Sequence, residues 1–133
     1  MDRQIARSPL ARAMGLGSAK SGVEHWWAER VSAVALLPLT LWFAASLIAH
    51  AGSGYAPFLA WLRSPFVSVP MILLLIALFH HTALGLQVVI EDYVHTGMKL
   101  ALIVAVRLGC FALATAGIVA TLDITLGGWA GGP

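Results

Sequence analysis

The sequence predicts an all-α membrane protein built on three transmembrane helices. Two observations carry that expectation. Of 133 residues, 59% are hydrophobic and only 11% charged, with a mean hydropathy of +0.86, whereas a soluble domain carries roughly 25% charged residues. The apolar residues also fall into three runs, each about the 20 residues needed to cross a roughly 30 Å hydrocarbon core. The same composition excludes a disordered chain, which would be polar and charge-rich. The single cysteine, Cys110, excludes a disulfide framework and any Cys-rich zinc or iron–sulfur site.

The first element, 1–30, is a basic segment holding Arg3, Arg7, Arg12, Lys20 and Arg30. It reads as an anchor to anionic headgroups, although its Arg- and Ser-containing start also has the look of a transit peptide. Trp26 and Trp27 suit the interfacial aromatic belt. The first span is 31–50, apolar throughout, with Pro38 as its one helix breaker and a candidate kink. A connection rich in Gly, Ser and Pro follows over 51–65, containing Tyr55, Trp61 and Arg63. The second span, 66–90, has Pro70 near its start, where a missing N–H costs little. Glu91 and Asp92 close it. The third span is 100–122, with Arg107 inside it, and the Gly-rich tail 123–133 is expected to fray.

Basic residues set the direction. Five precede the first span, the first loop offers only Arg63, and the tail has none. The positive-inside bias therefore puts the N-terminus in the cytoplasm or matrix, and the loop holding Glu91, Asp92, Tyr93 and Lys99 on the same side.

An ionisable group at membrane depth is costly and marks a candidate functional site. His50 ends its span and is expected at the interface. His80 and His81 differ: His81 lies 11 residues before Asp92, about 16 Å of helix rise, near mid-membrane. Adjacent helical positions diverge by about 100°, so the two histidines face different ways. The His81 stripe holds Ala77, Gly85, Val88 and Asp92; Ala and Gly leave a flat recess that a planar macrocycle would fit. The His80 stripe, with Ile76, Leu84 and Gln87, is bulkier. Two plainer readings stand beside this one: small residues let membrane helices approach closely, and a lone histidine hydrogen-bonds across helices. Glu91, Asp92 and Tyr93 either bind a headgroup-sized polar ligand, an acid standing beside a phenol, or belong to a solvated loop and the aromatic belt. Arg107 either snorkels or meets an anionic group in a bundle. Cys110 reads as a small buried hydrophobe.

Two stretches carry a family resemblance. His81-Thr82-Ala83-Leu84-Gly85-Leu86-Gln87-Val88-Val89-Ile90-Glu91-Asp92-Tyr93-Val94 resembles the second-helix signature of the hydrophobic membrane anchor of succinate dehydrogenase (complex II): a histidine, a glycine four residues on, then Asp-Tyr-Val. Gly22-Val23-Glu24-His25-Trp26-Trp27-Ala28-Glu29-Arg30-Val31-Ser32-Ala33 resembles that family's amphipathic lead-in, where an arginine precedes small residues. The resemblance spans about 22–122. It implies a heteromeric helical bundle in which His81 is an axial ligand of haem b, Arg30 lies near a haem propionate and the quinone site, and Tyr93 hydrogen-bonds ubiquinone with Asp92 in support. It also implies three partners in a bacterial inner membrane: a second membrane-anchor polypeptide, an iron–sulfur subunit and a flavoprotein subunit. The doubled histidine leaves the register open by one residue, and the distance to Asp92 and Tyr93 selects His81. Glu24 and His25 depart from the familiar pattern and receive no role. The basic residue expected after Asp-Tyr-Val is delayed to Lys99.

The chain is not expected to be catalytic alone. It has no Rossmann-type glycine fingerprint and no cysteine set for clusters, so flavin and iron–sulfur chemistry falls to partners. Haem with two axial ligands requires a second one from the other anchor polypeptide. The competing readings are a cofactor-free structural or transport protein, with Arg107 and the histidines along a helix interface, and the anchor of a fumarate reductase.

Overall fold

The computed structural model describes residues 19–127, and every regular element among them is helical. Helix α1 is Ala19–His50, α2 is Tyr55–Leu62, α3 is Pro65–Tyr93 and α4 is Lys99–Leu126. Three of these, all but α2, are long and apolar enough to cross a membrane. The basic residues Arg3, Arg7 and Arg12 and the end of the tail, 128–133, lie outside the described residues.

Each long helix outruns its apolar span. Helix α1 begins twelve residues before residue 31, so the segment with Trp26, Trp27 and Arg30 continues the first span without a break. Helix formation depends on local backbone bonds, which the polar flanks also satisfy; hydropathy marks only the part inside hydrocarbon. Helix α3 likewise runs through Asp92 to Tyr93, and α4 reaches Leu126 before Gly127, at φ 100°, ends it in the left-handed conformation that suits glycine. The first four residues of the tail are thus helical. Pro65 takes the first position of α3 and Pro70 lies a full turn inside, where it removes an internal bond. Pro38 is also interior to α1, which continues through it.

The connection over 51–64 is not irregular throughout. It folds into α2, whose Trp61 stacks on His50 with ring centroids 4.5 Å apart. The Nδ1–H of His50 donates to the Ser46 carbonyl at 2.9 Å, so this histidine closes the end of α1.

Helix α3 is central. It packs most extensively on α4 and also on α1. Gly117 of α4 is the tightest of the described glycines: a Cβ there would meet the Leu75 methyls at 3.1 and 3.2 Å. The core is thin, with Val67, Leu74, Leu84 and Cys110 as its buried apolar residues. Large apolar side chains such as Leu41, Ile48 and Phe111 lie outside, each at least 70% exposed. Helices apolar all round belong in hydrocarbon or inside a larger assembly, and the described residues leave these faces uncovered.

Candidate functional site around His81

The site begins with one hydrogen bond between helices. Ser32 of α1 donates its hydroxyl proton to the Glu29 carbonyl at 2.9 Å, and its Oγ lies 3.0 Å from Nδ1 of His81 on α3. A hydroxyl has one proton. With that proton on Glu29, the geometry suits an Nδ1–H donor from His81, the tautomer in which Nε2 is the acceptor. No described residue donates to Nε2. A neutral imidazole with one nitrogen tied and the other an acceptor is in the state a metal ligand requires.

The contact lies 18 residues before the end of α1 and 16 after the start of α3, about 27 and 24 Å of helix. Near-equal heights are what an antiparallel pair gives. Four residues beyond His81, the hydrogen of Gly85 faces open space, with no heavy atom within 4 Å of a Cβ built there. At its Gly85 end, the recess expected from Ala77 and Gly85 is therefore not filled by any described residue.

His80 faces a different helix. It lines a groove of about 520 Å³ between α3 and α4, with Phe79, Arg107, Cys110 and Phe111 among its walls. The two histidines thus diverge as their 100° separation requires. Cys110 is buried, as expected of a small apolar residue. Arg107 neither snorkels free nor meets a carboxylate directly. Its Nε and Nη2 donate to the Gln87 side-chain oxygen at 3.2 and 2.6 Å. The Gln87 Nε2 in turn donates to a Glu91 carboxylate oxygen at 2.7 Å. An amide thereby relays the arginine's charge toward the end of α3, where Lys99 Nζ donates to the Glu91 carbonyl at 3.1 Å and ties α4 to it.

Asp92 and Tyr93, the last two residues of α3, are both exposed, Tyr93 at 80%. Tyr93 is 12 residues past His81, about 18 Å along the helix, so one chain offers two separated points at different depths. Arg30 is two residues before Ser32, about 3 Å of rise, and therefore near the level of His81 rather than of Tyr93. Its guanidinium is 5.0 Å from the Trp26 ring centroid, and the half-turn between Arg30 and Ser32 points it away from α3.

Two contributors escaped sequence reasoning. Ser32 was visible only as a small residue after Arg30, because its partner is 49 positions away. His25 is the other: its Nε2 is the one buried side-chain N or O atom among the described residues with no hydrogen-bond partner. Such an orphan costs about 1–3 kcal/mol unless a bound group or another chain satisfies it. His25 lies two turns before Ser32 on the same face of α1. The described residues contain no cluster of three or more His, Cys, Asp or Glu side chains suited to a metal ion, so a metal here would be held by His81 with ligands from elsewhere.

The sequence model of the succinate dehydrogenase/fumarate reductase transmembrane subunit matches residues 4–119. The chain belongs to this family. A succinate dehydrogenase hydrophobic membrane anchor subunit of Rickettsia bellii (strain RML369-C) is 35% identical over 115 residues, covering 86% of this chain and 92% of that one. The protein of the same description from Paracoccus denitrificans is 33% identical over 120 residues, covering 90% and 93%. That of Rickettsia conorii (strain ATCC VR-613 / Malish 7) is 30% identical over 116 residues, 86% and 92%. Membership and three apolar helices together make the chain a multi-pass membrane protein similar to succinate dehydrogenase anchors.

Proposed function

We propose that this chain anchors a succinate dehydrogenase in a bacterial inner membrane and supplies one axial ligand of haem b, His81. The state of His81 carries the reading. Its Nδ1 is tied to Ser32 across the bundle, its Nε2 is left as an acceptor, and the neighbouring Gly85 leaves open space. These residues fit the group: haem b, when bound, supplies a one-electron relay within the membrane, and its iron takes imidazole nitrogen. His80, facing the α3–α4 groove, and His50, closing the far end of α1, are not placed to hold the same group as His81, and a second ligand would come from the other anchor polypeptide. Arg30 is near the level of His81 but turned away from α3 onto Trp26, so serving a propionate would require its side chain to swing from that contact.

Tyr93 and Asp92 form the ubiquinone end. The Tyr93 hydroxyl donates to a quinone carbonyl and fixes the headgroup's orientation. Asp92 stands beside it as a group able to hold a proton near the carbonyl being reduced. The basic N-terminal segment supports a cytoplasmic side for this end and for the N-terminus. There the iron–sulfur subunit delivers electrons that the flavoprotein subunit takes from succinate. The anchor itself is not catalytic: it binds, orients and holds. The relatives named succinate dehydrogenase anchors favour succinate oxidation over the fumarate-reducing direction.

Purification of the tagged chain from its native membrane tests the reading. It should bring a second multi-span polypeptide of similar size, two soluble subunits and a Soret band of low-spin haem. A stable, active homo-oligomer without that band would defeat it.

A further inference from the structure

We propose that Ser32 is a positioning residue for His81: its hydroxyl holds the imidazole in the Nδ1–H tautomer and turns Nε2 outward as the ligand atom. The inference rests on the haem reading above.

Ser32 is 6% exposed, the one buried polar residue of α1 among the described residues. Its own orientation is pinned, because the bond to the Glu29 carbonyl one turn back fixes the hydroxyl. The remaining Oγ lone pair then points at Nδ1 of His81 at 3.0 Å. Were the ring to carry its proton on Nε2 instead, two lone pairs would meet at that distance unless the serine surrendered its bond to Glu29. The arrangement therefore favours the one tautomer whose Nε2 binds a metal, and fixes the ring before any ligand arrives. Hydrogen bonds to the far nitrogen of a ligating imidazole orient it and raise its basicity. A more basic imidazole stabilises ferric over ferrous iron, so the serine holds the haem potential down.

The test uses the intact complex with Ser32→Ala and Ser32→Thr. Alanine removes the acceptor and little volume. Threonine keeps the hydroxyl and the bond to the carbonyl one turn back. The readouts are the ferrous-to-ferric ratio at fixed ambient potential and the low-spin EPR g-values, neither of which reports turnover. Loss of one neutral hydrogen bond should raise the ferrous-to-ferric ratio of Ser32→Ala about three- to tenfold and shift its g-values, while Ser32→Thr titrates like the wild type. Ser32→Ala matching the wild type in both readouts would overturn the proposal, as would Ser32→Thr deviating as far as alanine. If Ser32→Ala purifies without haem, retention in Ser32→Thr supports the role and loss from both refutes it. A His81→Leu complex separates the two levels. If its haem spectrum is unchanged, the haem reading itself fails; if the haem is lost while Ser32→Ala behaves as the wild type, only the role of Ser32 falls.

Discussion

Tyr93→Phe isolates one hydroxyl. In the chain that hydroxyl makes no hydrogen bond to any described residue, and the side chain is 80% exposed at the last position of α3. Removing it breaks nothing inside the fold, so assembly and haem content should stay at wild-type levels. If Tyr93 binds the quinone as proposed, the whole effect then falls there. A carbonyl gains negative charge as it is reduced, and a donor aimed at it favours the reduced forms. Losing such a bond where the partner is buried costs about 1–3 kcal/mol, a factor of roughly five to 150 in rate or affinity; the lower end applies where water replaces the donor. The assay is paired: succinate–ubiquinone reductase activity should fall at least about fivefold, while succinate oxidation by an artificial acceptor that bypasses the membrane persists. Both activities at wild-type levels would reduce Tyr93 to an interfacial anchor and refute the reasoning.

Further perturbations probe the scaffold. Gly117→Val drives branched methyls into Leu75, and overpacking of this kind costs about 1–3 kcal/mol; a lowered midpoint in thermal unfolding of the detergent-solubilised complex checks it. Gly117→Ala should cost less, because the contact is to the mobile end of Leu75. Gln87→Leu removes the acceptor of both Arg107 donors and should destabilise the α3–α4 pair by about 0.5–2 kcal/mol, the range of interhelical polar bonds in membranes, measurable by the same melting curve. Expressed without its partners, the chain should fail to accumulate, as pulse-chase labelling would show, since its apolar faces and orphaned His25 find no cover; a long-lived monomer would contradict this.

The three spans were legible because hydrocarbon thickness imposes a length and a composition together. Helix limits were not, since 19–30 and 91–93 satisfy their backbones helically outside the apolar core, where hydropathy is silent. The short helix α2 was hidden by a Gly/Ser/Pro-rich connection whose fold depends on Trp61 meeting His50. His81, Asp92 and Tyr93 could be put forward as candidates from spacing along one helix together with the family resemblance. Their setting could not: Ser32 reaches His81 across 49 positions, and Arg107 reaches Gln87 across 20. Such pairings exist only once the helices pack. The divergence of His80 from His81 needed only the helical repeat, whereas which neighbour each one meets needed the bundle.

The absorption spectrum of the purified complex carrying His81→Leu, compared with His80→Leu, tests the central claim most directly. His81→Leu should abolish or alter the low-spin haem bands, whereas His80→Leu should leave them intact. The opposite pattern would put the ligand one residue earlier, and an unchanged spectrum in both would contradict haem ligation by this chain.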